Sequence, residues 1–599
     1  KATVGSGLID AGAGIVKLVS GATAGIIDMD LVTISAKDVS VDSTGEVALS
    51  LDAESLSALV DSGNLVVTSS GALRLTDVEA KSGSIEVSAA GKLEADRVIA
   101  SGGTDAHDIT LKAVGAASDL IYDEVKASGS GDMLLEAGAG IAAKSSVSSI
   151  TSDEISFDGQ TSAELVGTFA TLSGEVHQAG DMTVSAIGNA VIDSLILAAG
   201  KANLAATGNL TVDLLRVTNA SDANDLSIDV GGNLVLGELD AGSTGDISLK
   251  STGSITKTVG KRVTGDELTL EAGGSVNLAT EVATIVASLS AAGDLQIDEA
   301  NALQLVDVSI ADGSLDVTTG ASLTVDSVRI STDEVGREAK LKTTFGDLSV
   351  GVIVVGTDKG KVILDAAGDI KQSTTDEVAD VLGHELVVQV GGDFLLDVEV
   401  DQLSGTATGA FRVTDFGDLV LGDLKSLAGP LEVEALGRLV VGGDIESGST
   451  LLLEAKDLLV ETSGSLLAQD ALTAEAINQF RHLGSASSVA DVVTLAAGGS
   501  MEIAGTVSSL AKKLLTLRSD EDLILKADLS NEGGNILLKA ESGTISQDAG
   551  KKVIADELEL RVKKGTSLTT RVDSLVASVS SAGDLSITEL DALELENVE

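Results

Sequence analysis

The chain repeats a long segment of itself without a gap. Residues 253–308 align with residues 543–598 at a constant offset, and nearly half of the aligned positions are identical. Internal repetition is typical of solenoids and arrays, in which one structural unit stacks on the next. The repeat therefore indicates a stack of similar units. It also favours a scaffold that spaces or binds over an enzyme with one singular site.

Along the chain, apolar and polar residues alternate at period two. Leu226, Ile228 and Val230 show the pattern, and equivalent strands return at Ile247 and Leu268, each 21 residues later. Alternation places the apolar side chains on one face of a strand. A return every 20–21 residues, with two or three short strands each time, predicts an all-β fold, a parallel β-helix or β-solenoid. The rival antiparallel sandwich does not predict this fixed step.

A longer period accompanies the short one. The motif Gly-Asp/Asn-Leu, or a looser copy of it, starts at residues 63, 180, 293 and 409. We therefore expect residues 1–599 to form a single continuous solenoid with irregular super-repeats, approximately 63–179, 180–292, 293–408 and 409–599. About 28 coils stacked at ~4.8 Å would make an elongated rod of about 130–140 Å. Because the earlier copy of the repeat runs on where the chain stops, we expect a fragment of a longer protein.

The composition indicates a thin aliphatic core. Hydrophobic residues make up 43% of the chain, but aromatic residues make up only 1%. Such a core suits a narrow coil better than a thick globular interior, which normally includes aromatic side chains. Patterns of period 3.6 are scarce, and the segment most expected to be helical or irregular is Ala471–Leu483.

The charge excludes some partners. The chain has 92 acidic and 39 basic residues, a net charge of −53. Nucleic acid and bare anionic lipid both need clustered Lys and Arg, so neither is an expected partner. There is no cysteine for a disulfide or a thiolate. No stretch approaches the ~18–20 apolar residues of a membrane span.

Three segments carry a family resemblance. They read GDISLKSTGSITK at 245–257, DELTLEAGGSVNLAT at 266–280 and GDLQIDEANALQLVDV at 293–308. They resemble the repeats of filamentous-haemagglutinin-type large bacterial exoproteins. The resemblance implies a right-handed β-helical shaft of a giant secreted or surface-displayed protein, acting in adhesion. The implied partners are other copies or neighbouring segments end-to-end, and a cell-surface protein or glycan receptor.

Candidate metal ligands are few. The chain has four histidines, at 107, 177, 384 and 482, which lie far apart and are expected at turns or facing solvent. No cofactor is expected. The alternating acids Asp397, Glu399 and Asp401 are candidates for loosely bound calcium, which prefers several carboxylates at one point. The competing interpretation is a solvated acidic face.

The pattern predicts no enzyme, and two alternatives to an adhesive shaft stay open. One is a polysaccharide-active β-helix enzyme, which would need a singular coil with gathered carboxylates. The other is a surface-layer or matrix component cross-linked by divalent cations. Binding surfaces on solenoids often form where coils depart from the common pattern. The residues that mark such candidate inserts are Arg337, Lys340, Phe345, Phe411, Phe416, Phe480 and Arg481.

Overall fold

Two compact units, Lys1–Gly293 and Asp294–Glu599, make up the chain. The computed structural model describes residues 2–3, 7–21, 25, 27–219, 221–374 and 378–599. Across these described residues the strand pairings within each unit are parallel, from β2 with β4 in the first unit to β58 with β60 in the second, and there is no helix. The predicted all-β parallel solenoid is therefore confirmed for each unit.

The strands are short in both units. The strands of the first unit, β1 to β29 in chain order, are Ala2–Thr3, Gly7–Asp10, Ile15–Ser20, Ile27–Ser43, Val47–Val60, Leu65–Ser69, Leu73–Ala80, Ile85–Ala89, Leu93–Ala100, Ile109–Ala113, Leu120–Ala127, Met133–Ala137, Gly140–Ala143, Ser149–Thr151, Glu154–Gly159, Ser162–Thr168, Thr171–Ala179, Met182–Ala186, Ala190–Ala199, Ala202–Ala206, Leu210–Val217, Leu226–Val230, Leu234–Asp240, Ile247–Ser251, Ile255–Lys257, Val263–Thr264, Glu267–Ala272, Val276–Glu281 and Thr284–Ala292. The strands of the second unit, β30 to β60, are Leu295–Glu299, Leu303–Asp312, Leu315–Thr319, Leu323–Ile330, Glu338–Thr343, Leu348–Val355, Lys361–Ala366, Ile370–Gln372, Val381–Val390, Phe394–Ala407, Phe411–Asp415, Leu419–Ser426, Leu431–Val441, Asp444–Ser447, Leu451–Val460, Ser465–Ala468, Leu472–Ala476, Phe480–His482, Ser485–Ser488, Val493–Ala497, Met501–Ile503, Thr506–Ser509, Leu515–Ser519, Leu523–Leu525, Leu529–Asn531, Ile536–Ala540, Ile545–Gln547, Val553–Val562, Thr566–Val579, Leu585–Glu589 and Glu594–Val598.

Each strand turns its apolar residues inward, as the alternation predicts. In β22, Leu226, Ile228 and Val230 are buried, whereas the intervening polar residues lie on the outer face. β22 pairs in register with β24, so that Leu226 lies beside Ile247, one coil further along. Because the strands are parallel, their backbone hydrogen bonds run from coil to coil along the stack. Each inward residue is thus covered by its counterparts on the coils before and after it.

In the second unit these inward residues form an unbroken apolar column. Its members, each paired in register with the next, are Leu303, Leu323, Leu348, Ile370, Phe394, Phe411, Leu431, Leu451, Leu472, Val493, Leu515, Ile536, Leu558, Leu575 and Leu595. At ~4.8 Å per coil the column is about 65–70 Å tall. The first unit has an equivalent column, in which Ala202 lies in register between Met182 and Leu226.

Coil length varies around the predicted 20–21 residues. The step is 25 residues from Leu323 to Leu348 and 17 from Phe394 to Phe411. The narrow 17-residue coil recurs at the pairs Ile34–Leu51, Ile155–Leu172, Leu268–Ile285, Phe394–Phe411 and Leu558–Leu575. There one long strand runs round the bend without a separate turn, as in the 14-residue strand Phe394–Ala407. These narrow coils lie next to the Gly-Asp/Asn-Leu motifs, which gives the long sequence period a structural basis; the super-repeat boundaries stay a prediction.

The Gly-Asp/Asn-Leu motif forms an axial ladder of side-chain hydrogen bonds. The backbone N–H of Asp369 donates to Asp347 Oδ1 at 3.0 Å, and that of Asp393 donates to Asp369 Oδ1 at 2.9 Å. A Cβ on Gly392 would overlap Asp369 Oδ1. The glycine of each motif therefore leaves room for the side chain below, the Asp or Asn bonds the coil above, and the residue after it, here Phe394, points into the core.

The same ladder runs through the first unit with asparagine. Asn233 donates its backbone N–H to Asn209 Oδ1 at 2.8 Å, and Ser254 donates to Asn233 Oδ1 at 2.9 Å. An amide and a carboxylate serve equally here because both offer an Oδ1 acceptor. Many of the turn acids are thus explained by coil stacking.

Tyr122 bridges an interrupted coil. It is fully buried, and its hydroxyl donates to the carbonyl of Glu164 at 3.1 Å and accepts the N–H of Val166 at 2.8 Å. In the coil between them the chain leaves the stack between Gly140–Ala143 and Ser149–Thr151, which pair only with the ends of the next strand. The hydroxyl supplies the partners that the missing strand would have given. Burial raises the pKa of Tyr122, which keeps it protonated for this role.

The expectation of a helical or irregular segment at Ala471–Leu483 is wrong. The segment forms the strands Leu472–Ala476 and Phe480–His482. Leu472 and Phe480 lie in register with Leu451 and Leu458 of the preceding coil and are fully buried. Stacking against a formed coil overrides the local helix preference of the alanine-rich sequence.

Tyr122→Phe tests the bridging hydroxyl. The substitution keeps the ring in the core but leaves a buried N–H and a buried C=O without their partner. We expect the free energy of local opening around Ser162–Thr168 to fall by about 1–3 kcal/mol. Hydrogen exchange measures it, and strand Leu226–Val230 of the same unit, which should keep its protection, is the control. Unchanged exchange at Ser162–Thr168 would contradict the bridging role.

A double-mutant cycle at Asp369 and Gly392 tests the axial ladder. Asp369→Ala removes an acceptor and should lower local stability by about 0.5–1.5 kcal/mol, whereas Asp369→Asn keeps Oδ1 and should cost much less. Gly392→Ala should cost about 1–3 kcal/mol through overlap with Asp369. In Asp369→Ala/Gly392→Ala the overlap is gone, so the two costs should not add. Hydrogen exchange of the strand that starts at Phe394 gives the values; simple additivity would rule out the proposed contact.

Candidate functional site

The acidic stretch lies on the outer face of strand Phe394–Ala407. Asp397, Glu399 and Asp401 alternate with buried valines, so their side chains all point away from the core. The backbone N–H of Asp397 donates to Asp380 Oδ2 at 3.0 Å. Asp401 Oδ2 lies 2.7 Å from Nδ1 of His384 on the preceding coil. The stretch is therefore tied to its neighbouring coil by local contacts.

The three carboxylates do not converge on one point. Alternate residues of a strand are ~6.6 Å apart, so Asp397 and Asp401 are separated by about 13 Å, whereas calcium ligands lie ~2.3–2.6 Å from the ion. All three therefore do not fit one calcium ion. Across the described ranges, no group of three or more His, Cys, Asp or Glu side chains is placed to hold a metal. Loose calcium binding at this stretch stays a prediction.

A buried carboxylate lies beneath the same stretch. Asp415 is fully buried at the end of strand Phe411–Asp415. Its Oδ2 accepts the N–H of Val400 at 3.0 Å and its Oδ1 accepts the N–H of Gly417 at 2.8 Å. Burial raises the pKa of Asp415 to about 6, the two N–H bonds oppose the rise, and the charge of Glu399 adds to it.

The position of Asp415 recurs one super-repeat later. Glu589 ends the strand Leu585–Glu589, and its Oε2 accepts the hydroxyl of Thr570 at 2.7 Å and the N–H of Val572 at 3.3 Å. Both acids serve an N–H in a narrow coil, where the strand bends without a turn. The shared geometry gives Asp415 a role in closing the fold at the bend.

The first candidate insert is partly a regular strand. Arg337 and Lys340 pair with Asp312 at 2.8 Å and Asp316 at 3.2 Å on the preceding coil. Lys340 belongs to the strand Glu338–Thr343. Phe345 follows this strand, and 73% of it is exposed. Of the residues predicted here, only Phe345 presents an apolar surface to a partner.

The remaining candidate phenylalanines are mostly core residues. Phe411 stacks on Phe394 with ring centroids 4.5 Å apart, and both are fully buried. Phe480 is also fully buried, with its ring 6.3 Å from that of His482. Phe416 is half-buried. Phe411 and Phe480 therefore offer no surface to a partner.

Arg481 does face solvent, beside an open groove. The groove, of about 500 Å³, is also lined by Arg438, Asp457, Leu459 and Gln479. Arg481 pairs with Glu502 at 3.4 Å. The groove thus combines two guanidinium groups with one carboxylate on an otherwise acidic chain.

The expectation that every histidine faces solvent or lies at a turn is wrong for His482. It lies in strand Phe480–His482, fully buried between Val460 and Ile503 of the neighbouring coils. Its Nε2–H donates to the carbonyl of Thr506 at 3.0 Å, and its Nδ1 has no partner among the described residues. Burial lowers the pKa of His482, so the ring stays neutral in the core.

Comparisons with protein-family models, with curated proteins and with solved structures found no match to this chain. The resemblance to filamentous-haemagglutinin-type exoproteins accordingly stays a prediction. In the part of the chain that the structure describes, no helix is long and apolar enough to cross a membrane.

Asp415→Asn tests the buried carboxylate. Because its folded pKa of about 6 exceeds the ordinary value of 3.8, folding favours the protonated form, and local stability should fall as pH rises from about 4 to 6. A rise of about two pKa units corresponds to about 3 kcal/mol. Asp415→Asn has no proton to lose and should flatten this dependence. Hydrogen exchange of residues 394–417, corrected for intrinsic rates, measures it.

The control is Asp418→Asn, a neighbouring exposed acid that accepts the N–H of Arg438. This variant should retain the wild-type pH dependence. An unchanged slope in Asp415→Asn would show that the carboxylate is not the titrating group.

Proposed function

We propose that this chain is a structural and adhesive shaft of a large secreted or surface-displayed bacterial protein, whose fibre makes cell–cell or cell–surface contact. The proposal makes the chain a non-enzymatic extracellular element. Its partners would be further copies or neighbouring segments and a cell-surface protein or glycan.

The observation that carries the proposal is the unbroken core column of the second unit. From Leu303 to Leu575 every coil contributes one apolar residue in register with the next. Parallel strands place all their hydrogen bonds along the stack, so tension on it is shared by several strands at each coil. Such a structure suits a load-bearing spacer.

The surface composition supports the same proposal. With a net charge of −53, copies of the chain repel one another at long range, which favours soluble and separated fibres. The outer acids that were candidate ligands bond to neighbouring coils, as Asp369 does, or spread along a strand, as Asp397 and Asp401 do. A polysaccharide-active enzyme would instead gather its carboxylates at one coil.

An adhesion assay with a matched activity assay tests the proposal. Beads carrying the chain should attach to cells or glycan surfaces more than beads carrying an unrelated acidic protein. The attachment should persist in a chelator, and the chain should release no product from uronate or neutral polysaccharides. Loss of attachment in chelator would favour the cation-cross-linked matrix.

Two variants sharpen the result. Glu399→Gln alters the outer acidic stretch above Asp415; polysaccharide turnover in the wild type that this variant abolishes would overturn the shaft. Deleting one whole coil, residues 226–246, brings Ile247 into the position of Leu226. A shaft should fold and attach after this deletion. No attachment by the wild-type chain to any tested surface would contradict the adhesive role.

A further inference from the structure

The outer residues of the second unit also form columns, and one of them is divided by charge. Glu434, Glu454 and Glu475 lie in register on three consecutive coils. We call them the acidic triad. Their side chains are exposed on the outer face at ~4.8 Å steps. The triad therefore places three like charges in a row on one sheet.

The acidic triad carries no compensating charge of its own. Among the described residues none of the three glutamates forms an ion pair. Partial burial and the charges of Glu434 and Glu475 raise the pKa of Glu454. Like charges on adjacent strands are destabilising, so the free chain maintains the row at a cost in stability.

A row of cations continues the same column. Ala496 follows Glu475 in register, and the next three coils place Arg518, Lys539 and Arg561 at this position. We call these three the basic triad. Their carboxylate neighbours, Asp520, Glu541 and Glu559, are partly exposed, and such pairs contribute little. The basic triad is therefore available to exchange these partners for others.

The adjacent column is symmetric about the same coil. Thr494 is two residues before Ala496, and its neighbours in register on either side are Thr473 and Thr516. One coil further out in each direction lie Leu452 and Leu537. The order is thus Leu, Thr, Thr, Thr, Leu, a flat face of half-buried side chains. Beside it, the charged column reverses its sign across Ala496.

We propose that this face binds a second copy of the chain, packed sheet on sheet and antiparallel. The two-fold axis runs along the strand direction at the coil of Thr494 and Ala496. It places Glu454 of each copy opposite Lys539 of the other, and each remaining member of the acidic triad opposite a member of the basic triad. Such an interface is isologous, because both copies contribute the same surface.

The pattern also selects against the parallel arrangement. A two-fold axis along the stack would place each acidic triad opposite the same triad of the partner, and like charges facing each other disfavour that dimer. The charged column is ~29 Å long and the face is about 17 Å wide. This footprint is at the low end for stable complexes, so the dimer should be weak and reversible.

Charge reversal with a compensating swap tests the pairing. At ~0.15 M salt, where screening limits the long-range repulsion between acidic chains, sedimentation velocity should detect a concentration-dependent dimer. Glu454→Lys and Lys539→Glu should each weaken the dimer about tenfold, because each places two like-charged pairs in the interface. The double variant Glu454→Lys/Lys539→Glu should restore it. A wild-type monomer at every concentration, or failure of the swap to restore the dimer, would overturn the proposal.

Cross-linking tests the position of the axis. The chain has no cysteine, so Ala496→Cys supplies a single thiol, which should face its own counterpart about 10 Å away. A short bifunctional thiol reagent should join the two copies. Thr414→Cys, four coils earlier in the same column, should not be joined. Cross-linking at Thr414→Cys but not at Ala496→Cys would overturn the antiparallel arrangement.

The single variants also report on folding. Glu454→Lys places a cation between two glutamates of the acidic triad and should leave the monomer as stable as the wild type or more so. Circular dichroism and thermal melting then separate loss of the dimer from loss of the fold. A dimer that survives Glu454→Lys in a folded chain would show that another surface forms it.

Discussion

In-register stacking of inward aliphatic side chains is the interaction on which the rest of the structure depends. A single coil buries almost nothing by itself, because its inner face is covered only by the coils before and after it. Leu431, Leu451 and Leu472 illustrate this arrangement, since each is fully buried only when its neighbours are in place. The narrow interior explains why the core needs aliphatic residues and so few aromatic rings.

The register also decides what the remaining residues do. Once the inner columns are fixed, coil length can vary only at the bends, where the chain loops out or omits its turn. Each solution leaves backbone groups to satisfy, and a specific side chain meets the need: Asp369 at an ordinary turn, Asp415 at a narrow coil and Tyr122 across an interrupted one. Polar residues that look like candidate ligands in the sequence thus complete the hydrogen bonding of the stack.

The sequence predicts the fold well because alternation and period are local signals. It also contains the signal for Asp415, since Phe411, Val413 and Asp415 alternate as inward positions do. Rarity was the less reliable guide: Phe411 and Phe480 stand out in an aromatic-poor chain, yet stacking buries them. The outer columns were not predictable, because steps between 17 and 25 residues hide which outer residues become neighbours.

Charge order along the outer columns is independent of the fold and so carries separate information. In the first unit Arg97 lies between Asp77 and Glu124, and this alternation of sign lets each charge stabilise its neighbours. A chain under selection for stability alone would favour that order everywhere. The acidic and basic triads instead segregate like charges on either side of Ala496. Segregation costs stability within one copy and is compensated only when a surface of opposite order is present, and the chain itself provides such a surface when a second copy is turned end for end.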